Sequence, residues 1–195
     1  MPATAPVTVE EWRAFLTGYS REVLSSPDQE REQATPEGIV TVSRFSPEML
    51  ESRWVGNVPA EEAEIAEAEA RLERRLPPSF RNFYRVSNGW GEAGEFGEDL
   101  WPLAELAWVR GHDFEDLVDS WHGVLEDSVL ARLRDGLAIG YADGGAGDYW
   151  FLVPPPNRAE EEWTPYVWAA GSGQEPEPFE TFGALMVSVR EGLSS

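Results

Sequence analysis

The sequence predicts an α+β domain, and three observations carry that prediction. Apolar residues return at helical spacing in two stretches, Val9 to Val23 and Ile65 to Leu76. Two apolar runs, Leu137 to Tyr141 and Tyr149 to Val153, flank a Gly-rich segment as the arms of a β-hairpin. A last amphipathic stretch, Phe179 to Leu193, follows those strands. Strand runs closed by a segregated helix argue against a parallel, doubly wound sheet.

The elements follow in chain order. Residues 7–25 read as a helix whose buried stripe is Val9, Trp12, Phe15, Leu16, Tyr19 and Val23, with Thr8 and Glu11 spaced as a capping box. Ser25 to Gly38 is polar and proline-containing and reads as a loop. Ile39 to Val42 reads as an edge strand and Pro47 to Ser52 as one helical turn. In the next helix Glu61, Glu62 and Glu64 crowd the start and Arg71, Arg74 and Arg75 the end, a gradient that complements the helix dipole. Pro77 and Pro78 stop that run, and Pro78 suits the first turn of another helix, which buries Phe80, Phe83, Tyr84 and Val86. Asn88-Gly89 tolerates a left-handed cap. Gly91 to Asp99 is an acidic loop. Leu100 to Leu103 reads as a strand that Pro102 ends or keeps at an edge. Ala104 to Asp119 reads as one or two short helices, Val124 to Leu133 as another, and Pro165 to Ala169 as a strand.

Bulk composition bounds the function. The chain has 195 residues, 42% of them hydrophobic, with nine Trp, nine Phe and five Tyr, enough for a substantial core. Cysteine is absent, which excludes disulfides, thiolate metal sites and a cysteine nucleophile. Thirty-six acids against fifteen basic residues set the formal net charge at −21. Such a surface repels nucleic acid phosphates and anionic membranes and draws cationic partners. Every basic residue except the two histidines is arginine, a bias that GC-rich codons explain. The start, Met1 to Pro6, has no basic region ahead of an apolar run, and no apolar run approaches the ~20 residues that span a bilayer. The expectation is a cytoplasmic protein that contacts neither nucleic acid nor membrane.

Reactive constellations are weak throughout. Asp143 to Asp148 is Gly-rich but has no lysine, and its flanking aspartates oppose phosphate. Asp143 and Asp148 are oxygen donors of the kind calcium or magnesium takes, yet the pattern lacks EF-hand spacing and reads as a tight turn. His112 and His122 fit no standard zinc spacing. Ala169-Ala170-Gly171-Ser172-Gly173 places its serine wrongly for a nucleophile elbow, leaving a hydrolase with a scattered triad as a remote alternative. No catalytic residue, metal or cofactor is expected. Trp90, Phe96 and Trp101 bracket Glu92, Glu95, Glu98 and Asp99, and aromatic anchors in a charged surround are what a protein interface uses; the competing reading, which favours any single Trp as a core residue, makes the acids solvated loop groups.

One run of residues carries a family resemblance. Trp54, Gly56, Pro59, Ile65, Ala68-Glu69, Leu72, Leu76-Pro77, Phe80, Phe83 and Asn88-Gly89, followed by Gly147-Asp148-Tyr149-Trp150 and a closing helix, resemble the SMI1/KNR4 family of the SUKH superfamily. The resemblance covers about residues 54–193. Two departures touch only helix boundaries: Pro59-Ala60 stands where the family often caps with Ser or Thr, and Glu73-Arg74-Arg75 where it often has Gly. The resemblance implies an antiparallel or mixed sheet flanked by helices over 54–195, with residues 1–53 as an N-terminal helical extension packed on or linked to it. It further implies a non-enzymatic binding protein. Bacterial members resemble immunity proteins that neutralise nuclease or deaminase toxin domains, and fungal members resemble regulatory scaffolds, the competing reading. The arginine-only composition favours the bacterial role. The expected partner is a cationic toxin domain, met by Trp90, Glu92, Glu95, Phe96, Glu98, Asp99, Asp143 and Asp148. The sequence leaves the oligomeric state open.

Overall fold

A capping box starts the first helix. Thr8 Oγ1 accepts the Glu11 N–H at 3.2 Å, and the Glu11 carboxylate accepts the Thr8 N–H at 2.9 Å. In the computed structural model, which describes residues 4–25, 30–36, 38–91, 99–141, 148–155, 161–169 and 174–192, that helix is α1 (Val9–Val23). Its stripe falls inward as the periodicity predicts: Trp12, Leu16 and Tyr19 have no exposed surface. Next comes a difference from expectation. Residues 30–35 are strand, not loop: β1 (Glu30–Thr35) pairs antiparallel with β2 (Gly38–Ser43). β1 is polar and carries no apolar alternation; its β-branched partner supplies the pairing. The ribbon buries little of that partner, since Ile39 is 70% exposed.

After α2 (Pro47–Ser52), capped by Ser46, comes α3 (Glu62–Arg71). It stops five residues before Leu76 because Glu73 takes a left-handed conformation, φ 53°, and turns the chain ahead of the prolines. Two of the terminal arginines reach across to other elements. Arg71 donates to the Leu103 and Leu106 carbonyls at 2.6 and 2.7 Å, and Arg74 lies 5.5 Å over the Trp163 ring. Pro78 opens α4 (Pro78–Tyr84), and Phe80, Phe83 and Tyr84 are fully buried. Gly89 is left-handed, φ 94°, but it lies beyond the helix cap, Arg85, and turns Trp90 onto Leu100.

The sheet is antiparallel throughout. Its strands are β3 (Asp99–Leu100), β4 (Ala107–Trp108), β5 (Leu137–Tyr141), β6 (Asp148–Val153), β7 (Thr164–Ala169) and β8 (Glu177–Pro178). The order runs β3-β5-β6-β7-β8, with β4 also on the outer side of β5. Leu100 to Leu103 is strand for one residue only, since Pro102 gives way to a 3-10 turn. Over 104–119, where one or two helices are expected, one α-helix forms, α5 (Asp113–Ser120); then come α6 (Asp127–Arg134) and, last, α7 (Phe182–Gly192).

Period-two alternation divides the interior. Leu137, Ile139, Trp150 and Leu152 join a core shared with α1, α3, α4 and α7. Ala138, Phe151 and Trp168 join a second core under α5 and α6. Both faces of the sheet are therefore covered by helices. Residues from before position 54 belong to the first core: the Trp12 ring lies 5.3 Å from both Phe83 and Phe182.

A bulge in β5 breaks the alternation. Ala138 opposes Phe151 and Gly140 opposes Trp150, so Ile139 is the extra residue, and Tyr141 swings to the α5 side of the sheet. Gly140 is required there because a Cβ would sit 2.6 Å from the Asp99 carbonyl oxygen. Gly140→Ala is expected to push β3 away and cost about 1–3 kcal/mol, the usual range for overpacking. An unchanged urea midpoint would contradict this.

Arg190 pins α7 to α1. It donates to the Glu22 carboxylate at 2.7 and 2.5 Å and lies 5.1 Å over the Phe15 ring. That hydrogen bond, foremost, holds the Glu22 carboxyl below its usual range. A depressed folded pKa contributes stability above the unfolded value and loses it as pH falls through the folded value. Arg190→Met is therefore expected to destabilise modestly at neutral pH, with the gap to wild type narrowing below about pH 4. Denaturation curves of both proteins across that window check the sign.

Candidate functional site

Strand register gathers at one end of the sheet the residues that bound the predicted acidic segments. Asp99 pairs with Tyr141, Tyr141 with Tyr149, and Asp148 with Ala169. Residues 92–98 lead into Asp99, and residues 142–147 join Tyr141 to Asp148, so both segments attach along this row. Glu92, Glu95, Phe96, Glu98 and Asp143 lie outside the described residues, as does Ser172. Asp99 is exposed, and the Asp148 backbone opens β6.

Trp90 is corrected. It has no exposed surface: its ring stands edge-on to Trp54 at 5.3 Å and lies 5.6 Å from Tyr19. A side chain enclosed this way anchors the core and touches no partner.

Other rings occupy the place assigned to it. On the α5 side of the sheet end, Phe114 stacks on Trp101 at 5.6 Å and meets Tyr149 edge-on at 5.7 Å. Tyr149 lies 5.1 Å from Tyr141, the ring the bulge turned to this side. All four are half-buried, so each keeps a wet edge on an apolar bed. Burial, then the neighbouring Tyr141, pushes the Tyr149 hydroxyl above its ordinary pKa. It stays a neutral donor at physiological pH. Glu115 of α5 accepts the Gly111 N–H at 2.6 Å, and Asp116 and Asp119 are exposed on the same helix. This is an aromatic ledge with acids around it. The alternation Tyr149-Trp150-Phe151 signals only part of it, by putting Tyr149 and Phe151 on one face; nothing in the sequence signals that Tyr141 joins them.

The histidines are surface groups. His112 stacks on Phe114 at 4.9 Å, and His122 Nε2 lies 3.6 Å from Asp127, both of those side chains mostly exposed. Among the described residues no group of three or more His, Asp and Glu is placed to hold a metal ion. Among them, too, no helix is long and apolar enough to cross a membrane.

The architecture defines an α+β domain whose antiparallel sheet is covered on both faces and carries an aromatic, acid-flanked end. The SMI1 / KNR4 family (SUKH-1) matches residues 59–188, about two thirds of the chain, and the chain belongs to this family. The match begins at Pro59, so Trp54, Gly56 and all of α1 lie outside it. No curated protein matches the chain.

Proposed function

We propose that this protein works by binding, as an immunity protein that neutralises a cationic toxin domain of nuclease or deaminase type. The observation that supports the reading is a ledge of half-buried rings at the sheet end where Asp99, Tyr141 and Asp148, the residues bounding the two segments, lie in register. A nuclease must hold phosphates, so its cleft is cationic. An acidic surface can occupy that cleft as a nucleic acid decoy: charge raises the association rate and the rings slow dissociation. Arginines cannot neutralise the carboxylates internally, because at one-to-one pairing a net charge of −21 remains.

The test is to co-express the full chain with the toxin domain encoded beside it, measure complex formation, and titrate toxin activity. Stoichiometric inhibition that weakens with salt is expected. A toxin fully active in the presence of saturating protein would end this reading in favour of a regulatory scaffold.

A further inference from the structure

The opposite end of the same sheet carries a second charged surface. Val153 closes β6 and Thr164 opens β7, roughly 17 Å from Asp148 and Ala169 at ~3.4 Å per residue. Around them β4, α6 and the chain after α3 enclose a groove of about 930 Å³. Among the described residues four arginines line it, Arg74, Arg110, Arg132 and Arg134, against one carboxylate, Asp135. This is a local excess of positive charge in a chain whose formal net charge is −21.

Two of the four are compensated. Arg110 Nη2 lies 2.7 Å from Asp135 Oδ1, and Arg134 Nη2 lies 2.7 Å from Asp119 Oδ1. Arg74 and Arg132 have no carboxylate partner among the described residues. Both are nevertheless held in place. Arg74 donates to the Pro155 carbonyl at 3.3 Å and lies over Trp163, while Arg132 Nη1 reaches the Tyr166 hydroxyl at 3.4 Å. Positioned guanidiniums with no counter-charge among the described residues are what an anion site needs. Trp108 and Tyr166 add half-buried rings to the same groove.

We propose that this groove binds a small ligand carrying two or more adjacent phosphoryl groups. The planar guanidinium fork pairs bidentately with phosphate oxygens, and adjacent phosphoryl groups present enough oxygens in a small space to engage several forks at once. The volume lies within the roughly 300–1,000 Å³ of small-ligand sites. A long polyanion would run out of the groove onto an acidic surface that repels it, whereas a compact anion stays inside the cationic patch. The site is separate from the sheet end assigned to the toxin and does not depend on that assignment.

The test is calorimetric titration of the full chain with pyrophosphate, ADP, adenosine and citrate at low and at physiological ionic strength. Saturable binding of pyrophosphate or ADP is expected, with none for adenosine. Arg110 and Arg132 are exposed, so the double variant Arg110→Gln/Arg132→Gln keeps the fold, checked by circular dichroism, and binds about tenfold or more weakly. The control Arg13→Gln/Arg21→Gln, on α1, retains wild-type affinity. Tighter binding of ADP than of pyrophosphate would assign the rings to a base, and equal binding would assign the groove to the phosphoryl groups alone; either supports the proposal. No saturable binding of either phosphate, citrate binding as tightly as pyrophosphate, or a groove variant with wild-type affinity would overturn it.

Discussion

Trp12→Ala is expected to lower folding stability by about 3–5 kcal/mol, the usual range when a buried large aromatic is truncated. The indole has no exposed surface and touches Phe15 of its own helix, Phe83 of α4 and Phe182 of α7. Three elements lose a common neighbour at once, and the enclosed site has little room to collapse. Native domains are stable by only about 5–15 kcal/mol, so the loss is a large share of the total. The same geometry predicts that a chain beginning at residue 54 fails to fold alone. It would lack Trp12, Leu16, Tyr19 and Phe45, leaving part of the core formed by Phe80, Phe83 and Phe182 open to water. Urea denaturation of both proteins, followed by circular dichroism, decides the matter. A 54–195 fragment unfolding cooperatively at the full-length midpoint would show the first 53 residues to be dispensable. Trp90→Ala belongs to the same class: a comparable loss of stability, with partner affinity per folded molecule unchanged.

The helices of this chain were readable because their signals are local. Thr8 and Glu11 cap α1 three residues apart, and Ile65 and Ala68 need only their own spacing to declare the buried face of α3, although that spacing does not reveal that the helix ends before Leu76. The β5–β6 hairpin was readable for the same reason, since both arms are apolar and separated by a short Gly-rich segment. What stayed hidden depends on partners distant in sequence. β1 is polar and becomes a strand only through β2. Trp90 sits in sequence beside an acidic run, but in space it sits between Tyr19 and Trp54, both contributed from upstream. The ledge needs the Ile139 bulge, and a one-residue shift in alternation has no signature in composition. The arginine groove assembles side chains from three separate stretches, Arg74, Arg110 and residues 132–134, that no spacing rule connects.

Reversing Glu95, Glu98 and Asp99 to lysine is expected to slow association with the cationic toxin domain by about 10- to 1,000-fold at low salt, the span over which charge steering acts. Phe114→Ala is expected to act on the other rate. Phe114 is half-buried between Trp101, Tyr149 and His112 at the edge of the second core, so its loss leaves the first core intact while removing the centre of the ledge. Truncating a central aromatic anchor typically costs about 2 kcal/mol or more of binding energy, a rise of roughly 30-fold in dissociation rate. Surface charges act at a distance and are screened by salt, whereas a ring acts only once it is seated and desolvated. Stopped-flow association and dissociation rates between low and physiological ionic strength therefore separate the two contributions. The charge-reversed protein should lose the salt dependence of its on-rate and keep its off-rate; Phe114→Ala should do the opposite. If neither variant changes either rate while wild type still binds, the toxin docks elsewhere and this end of the sheet is not the contact face.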